Sequence, residues 1–232
     1  MQHSKTLIVS DLGITDYKIC WDIQEDLFAK NVLLKGTAGK ENETINTLLL
    51  TEHQPVFTLG KNGNYDNLIV NEKLLGADFY KINRGGDITY HGPGQLVAYP
   101  IIDLEKYQIG LAKYIWNIEE VIIRLIAQYG LTGGRNTGAS GVWLDIENPF
   151  KIRKICAVGV KASRHITMHG LAFNVSTDLS YFQKIIPCGI ANAGVTSLEK
   201  ELGRQVSMEE IKKIFVEKFY EVFEIPIHTT LS

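Results

Sequence analysis

The 232-residue chain reads as an α+β protein, a mixed or antiparallel sheet flanked by helices. Three observations carry that reading. Apolar residues recur at helical spacing in three stretches, apolar β-rich runs separate those stretches, and no strict alternation of strand and helix is present.

The first helical stretch spans 15–33, with Tyr17, Cys20, Trp21, Gln24 and Phe28 on one face. From 46 to 60 an apolar run at Thr47–Leu50 gives way to a loop at Glu52-His53-Gln54-Pro55, then to a second extended run ending at Gly60. Leu96–Ile102 is β-rich. Leu111, Ile115, Ile118, Ile122, Leu125 and Tyr129 mark a second helix on the 3.6-residue period. Lys154–Val160 and Leu171–Val175 read as strands, with a turn at His169-Gly170, and Leu179–Ile185 reads as a short helix. The Gly-rich run Gly133–Gly141 and the stretch Asp145–Arg153 read as connections between elements. Ser207 followed by Glu210 is a capping box that opens a last helix carrying Met208, Ile211, Phe215, Phe219 and Val222. No linker composition or internal repeat divides the chain, so 1–232 is expected to be one domain, with 204–232 readable as a C-terminal helical appendage.

Composition narrows the function classes. Hydrophobic residues at 45% and charged residues at 22% are globular values, and a formal net charge of −2 argues against broad binding to nucleic acid or anionic membranes. Three dispersed cysteines without a C-x-x-C suit a reducing compartment, and the cytoplasm is the expected location. No apolar stretch approaches the ~20 residues of a membrane span. No metal is expected, since H-E-x-x-H is lacking and acidic residues do not cluster near the histidines. Neither a G-x-G-x-x-G, a Walker A loop nor a G-x-S-x-G elbow occurs.

The densest anomaly is Arg84-Gly85-Gly86-Asp87-Ile88-Thr89-Tyr90-His91-Gly92-Pro93-Gly94-Gln95. It sets four glycines among side chains able to line a pocket. A plain Gly-rich hairpin with a capping histidine fits the spacing as well. Among the cysteines, Cys20 lies on an apolar helix face and Cys156 in mid-strand, both as buried small hydrophobes. Cys188 differs, because Pro187-Cys188-Gly189 is a turn, and functional residues collect in loops. A nucleophilic thiol needs a cation nearby. The basic run Lys151-Ile152-Arg153-Lys154, with Lys161 and Arg164, is either a solvated face or the source of that cation. Lys154, at the mouth of an apolar strand, is where partial burial would lower a lysine's own pKa.

Together these segments resemble the lipoyl (octanoyl) transferase family. The resemblance runs from about Glu52 to about Leu202. It rests on Arg84-Gly85-Gly86 with Thr89-Tyr90-His91-Gly92-Pro93-Gly94-Gln95, Thr137-Gly138 with Gly141-Val142-Trp143, Lys154-Ile155-Cys156-Ala157 with Gly159-Val160, His169-Gly170-Leu171-Ala172, and Ile186-Pro187-Cys188-Gly189. It implies a fold like the catalytic domain of biotin and lipoate protein ligases, and a cysteine–lysine dyad of Cys188 as acyl-thioester nucleophile and Lys154 as its acid/base partner. The implied acyl pocket is lined by Arg84, Gly85, Gly86, Asp87, Ile88, Thr89, Tyr90 and His91, by Ala157, Val158 and Gly159, and by Gly170, Leu171 and Ala172. His91 and His169 would orient neighbouring groups, and backbone N–H groups near Gly189 and in the Gly85–Gly86 loop would hold the oxyanion. The stretch 145–153 is longer than the family pattern, which sets Lys151 beside Lys154 as a candidate.

The implied reaction moves an octanoyl group from octanoyl–acyl carrier protein to a lysine of a lipoyl domain. The implied acceptors are 2-oxoacid dehydrogenase acyltransferase subunits and the glycine cleavage system carrier protein. No cofactor is needed, since thioester to amide is downhill. Lys151, Arg153, Lys154, Lys161 and Arg164 would steer the acidic carrier, and a monomer is expected. An ATP-dependent lipoate–protein ligase, an amidotransferase between lipoyl domains and a non-enzymatic binding module are the rival readings.

Overall fold

The computed structural model describes residues 6–186 and 194–225. In chain order, strand β1 (Leu7–Thr15) leads into helix α1 (Tyr17–Lys35), β2 (Asn46–His53), β3 (Val56–Leu59), β4 (Asp78–Lys81), β5 (Ile88–His91) and β6 (Gln95–Ile101). Helix α2 (Leu111–Ala127) precedes β7 (Gly133–Asn136), β8 (Ala139–Leu144), β9 (Arg153–Ser163) and β10 (Ile166–Asn174). Then come β11 (Gly194–Val195), α3 (Leu198–Leu202) and α4 (Met208–Phe223). The main sheet runs β1-β2-β6-β10-β9-β8-β7, with β11 paired to β9, and a smaller sheet runs β4-β3-β5. β1 with β2, β3 with β4, and β11 with β9 are parallel; the other pairs are antiparallel. This is the mixed sheet flanked by helices that the interleaved periodicities predict.

Strand alternation divides the core into two layers. Leu48, Leu50, Leu96, Ala98, Leu171 and Phe173 face α2 and α4, where they meet Ile118, Ile122, Leu125, Phe215 and Phe219. Leu49, Val97, Tyr99, Ile101 and Ala172 face the other way, toward Cys20 and Phe28 of α1. Because the central strands are covered on both faces, they read in sequence as unbroken apolar runs. Helix α1 starts at Asp16, whose carboxylate accepts from Ile19 N at 3.0 Å. The capping role of Ser207 holds too, since its side chain accepts from Glu210 N and opens α4. α4 packs into the same apolar cluster as α2 through Ile211, Phe215, Phe219 and Phe223.

Several expectations are corrected. Residues 7–15, assigned no element from sequence, form an edge strand whose Leu7 and Val9 are buried. β2 runs through Glu52 and His53, so the turn shrinks to Gln54-Pro55. Gly133–Gly141 is a hairpin, not a connection: β7 and β8 pair Asn136 with Ala139 around Thr137 and a left-handed Gly138. His169-Gly170 lies inside β10. The turn falls earlier, at Arg164 and His165, whose φ values of 48° and 65° fit a two-residue hairpin joining β9 to β10. Leu179–Lys184 is a 3-10 helix. Arg84–Gln95 is no hairpin either, because β5 belongs to the small sheet and β6 to the large one.

Phe219 is fully buried and stacks on Phe223 at 4.3 Å between ring centres. Phe219→Ala is expected to cost about 3–5 kcal/mol, as large-to-small core changes do. Urea unfolding measures this, and a cost below about 1 kcal/mol would mean that α4 contributes little to the core.

Candidate functional site

The site is built by missing side chains. On facing strands, Gly159 pairs with Gly170 and Ala157 with Ala172, leaving a shallow trough in an otherwise filled sheet. The Gly-rich segment lies across it. Gly85 N–H donates to Val160 O at 2.9 Å, and a Cβ added to Gly159 would lie 2.9 Å from Gly85 O. Only glycine lets the two backbones approach so closely. The cleft between them is partly open to solvent.

Of the residues expected around a pocket, Arg84, Gly86, Asp87, Ile88, Thr89, His91, Lys154, Ala157, Val158, Gly159, Gly170, Leu171 and Ala172 line this cleft. Gly85 lines the open groove outside it. Tyr90 points the other way, packed against Phe57 and stacked on Tyr181 at 4.4 Å, because successive residues of β5 face opposite sides. Tyr17, Val97, Tyr99 and His169 also line the cleft. The register of β6 on β10, Val97 opposite Ala172, carries Val97 and Tyr99 there, and sequence periodicity shows the face but not the neighbour. Within the Gly85–Gly86 loop, expected to hold an oxyanion, the Gly85 amide donates to Val160 O.

Arg84 is buried, and its guanidinium donates to the carbonyls of Gly85, Thr58 and Asp87. It thereby ties the segment to β3. Asp87 accepts from Ile88 N and Asn64 N and pairs with Asn67, a loop-holding role. Gln95 fixes His91: its amide nitrogen donates to Tyr90 O and Asn174 Oδ1, so its Oε1, 2.8 Å away, accepts from His91 Nδ1. Burial lowers His91 to about 3, helped by nearby His53, and lowers His169 to about 3 and His53 to about 4. All three are neutral imidazoles near pH 7. His169 itself sits in the left-handed region at φ 61°.

Lys154 is buried at the end of the cleft. Its Nζ donates to Ser140 O at 3.2 Å and lies 4.4 Å from the Trp143 ring centre. Lys154 also lines the outer groove beside Leu111, Ile115 and Ser140, and a smaller cavity beside Phe182 and Val195. The rest of the basic run behaves differently. Arg153, next along the strand, turns outward to Asp145 and Glu201. Lys161 pairs with Glu25 at 3.5 Å, Arg164 packs over Gly36, and Lys151 is exposed in the turn before β9. These five do not form one open basic face.

Cys20 and Cys156 are buried thiols, and desolvation pushes Cys20 up to about 12 and Cys156 higher still. Cys188 lies outside the described residues. The chain enters that stretch from Ile186, whose N–H donates to Asn67 O at 2.7 Å, and re-emerges at Gly194 and Val195, which pair with Arg153 and Lys154. Among the described residues no group of three or more His, Cys, Asp or Glu is arranged to hold a metal ion, and no helix is long and apolar enough to cross a membrane.

Comparison with known proteins agrees with this architecture. The lipoyl protein ligase A/B catalytic domain family matches residues 16–220. An octanoyltransferase of Christiangramia forsetii is 50% identical, covering 95% of this chain and 97% of its own. Among solved structures, a bipartite lipoate protein ligase of Thermoplasma acidophilum superposes with a TM-score of 0.68 at 14% identity, covering 98% of this chain and 86% of that one. A biotin protein ligase of Aquifex aeolicus gives 0.51 at 16% identity, covering 95% and 71%.

The neutral histidines make stability pH-dependent. Their folded values lie below the ordinary 6.5, so the unfolded chain takes up protons first as pH falls. Stability is therefore full above about 6.5 and declines as pH falls, to about 4 for His53 and about 3 for His91 and His169, by up to ~1.4 kcal/mol per pH unit for each histidine. Urea midpoints across that window should fall, and His91→Gln should flatten the slope; a slope unchanged by the substitution would mean that His91 titrates in the fold as it does in the unfolded chain.

Proposed function

The chain belongs to the lipoyl protein ligase A/B catalytic domain family and is an acyltransferase, and from this we propose that it moves an octanoyl group from octanoyl–acyl carrier protein to a lysine of a lipoyl domain through a thioester on Cys188. The observation that carries the reading is Lys154, a buried lysine standing where an apolar cleft meets an open groove.

The two spaces suit the two parts of an acyl thioester. The inner cleft, walled by Val97, Ala157, Leu171 and Ala172, takes the hydrocarbon chain. Each buried methylene contributes ~0.8 kcal/mol. The outer groove takes the carrier's arm, and afterwards the acceptor lysine. In the first half-reaction the Lys154 ammonium stabilises the Cys188 thiolate, which attacks the octanoyl carbonyl. The carbon–sulfur bond to the carrier breaks, and Lys154 gives its proton to the departing thiolate. In the second, the now neutral Lys154 takes a proton from the acceptor amine as that nitrogen attacks the Cys188 thioester. An amide forms and the Cys188 thiolate leaves. The acceptor lysine, with a free pKa near 10.4, is mostly protonated at neutral pH, so it gives its first proton to solvent before it attacks, and Lys154 takes the second. The acceptors in this reading are the lipoyl domains of 2-oxoacid dehydrogenase acyltransferase subunits and the glycine cleavage system carrier protein.

Intact mass spectrometry tests the scheme. Incubated with octanoyl–acyl carrier protein and no acceptor or ATP, the protein should gain one octanoyl group. Cys188→Ser should show no such adduct, and Lys154→Met should form it at least ~100-fold more slowly, the typical weight of a positioned acid or base. Normal transfer by Cys188→Ser would end the covalent reading.

A further inference from the structure

Lys154 is held by more than its own hydrogen bond. Its Nζ donates to Ser140 O at 3.2 Å. The other end of that same peptide group, Gly141 N–H, donates to Glu119 Oε1 at 2.8 Å. Ammonium, peptide and carboxylate therefore form one line, with the peptide dipole aligned between the charges. Hydrogen bonds in such a chain polarise one another, so a carboxylate on the N–H side makes the carbonyl a better acceptor for the ammonium.

The fold commits three elements to this line. Glu119 is buried on α2, although a carboxylate is costly to bury without partners. Gly141 has φ 127°, and a Cβ there would lie 2.3 Å from Cys156 O. Glycine is thus what lets the Ser140–Gly141 peptide lie flat against β9. The register of β8 on β9 then slips between Val142 and Trp143, setting Trp143 opposite Lys154 with its ring against the ammonium.

We infer that Glu119 is a positioning residue for Lys154, acting through the Ser140–Gly141 peptide to hold the lysine side chain and favour its ammonium form. This rests on the proposed acid/base role of Lys154. Other groups act on the same pair. Arg135 of β7 contacts Glu119 at 3.2 Å and Glu120 at 2.8 Å, Arg124 holds Glu120 from within α2, and Cys156 lies on β9 two residues from Lys154. Burial pushes the Glu119 carboxyl up, while Gly141 N–H, Arg135 and Lys154 all pull it back toward the ionised form.

The sign of the effect is fixed. An anion coupled to Lys154 raises the pH at which the lysine can act as a base. Glu119→Gln keeps an oxygen for Gly141 N–H and removes the charge, so that pH should fall. The readout is single-turnover transfer from octanoyl-loaded enzyme to a purified lipoyl domain, followed against pH. Relative to wild type, Glu119→Gln should move the midpoint down by about one pH unit, the size expected of charges one peptide group apart at an effective dielectric near 20. Glu119→Asp should restore most of it. Arg135→Gln, which removes a competing cation, should move the midpoint upward, and it carries the test if Glu119→Gln does not fold. Wild-type midpoints in these variants, with Lys154→Met inactive, would overturn the role of Glu119 and leave that of Lys154 standing. Normal transfer by Lys154→Met would overturn the reading beneath both.

Discussion

The cleft exists because two backbones approach where no side chain intervenes. Gly85 on the segment between the sheets meets Gly159 on β9, and the Gly85 N–H to Val160 O hydrogen bond fixes the separation. Arg84 is consequently folded back onto Thr58 and Asp87. Thr89 and His91 are carried over the trough formed by Ala157, Gly159, Gly170 and Ala172. A larger residue at either glycine would lift the wall from the sheet, and the cleft would lose its definition before the core lost its packing.

Within that cleft the protein separates charge from apolar surface. His53, His91 and His169 are stripped of water and kept neutral, each with a hydrogen-bonding neighbour. His91 and His169 line the cleft walls without adding charge to them, with His53 packed beside His91. The cation at the other end, Lys154, is spread over a carbonyl and an aromatic face, with a carboxylate one peptide away.

Family likeness and geometry contribute different things. The likeness, high in sequence with octanoyltransferases and low with ligases of the same fold, identifies the kind of chemistry. The geometry says what each residue touches. Tyr90 was grouped with its neighbours by motif, yet it belongs to the small sheet's own core. In the Gly85–Gly86 loop, the Gly85 amide holds the wall in place.

By itself the sequence determined the mixed architecture, the amphipathic faces of α1, α2 and α4, the Ser207 cap and most of the cleft-lining positions. The first three follow from local periodicity and capping chemistry, short-range properties of the chain, and the cleft positions follow from the resemblance to the lipoyl (octanoyl) transferase family. Cys188, legible as an unusual Pro-Cys-Gly sequence, lies outside the described residues. Only the tertiary structure decided that Gly133–Gly141 is a hairpin, that His169 lies mid-strand, that Tyr17 reaches the cleft from α1, and that Glu119 shares a peptide with Lys154. They depend on strand register and helix docking, from the short β7–β8 hairpin to contacts 14 and 86 positions apart. No local pattern encodes those pairings, because many registers satisfy the same alternation and only packing of the whole core selects one.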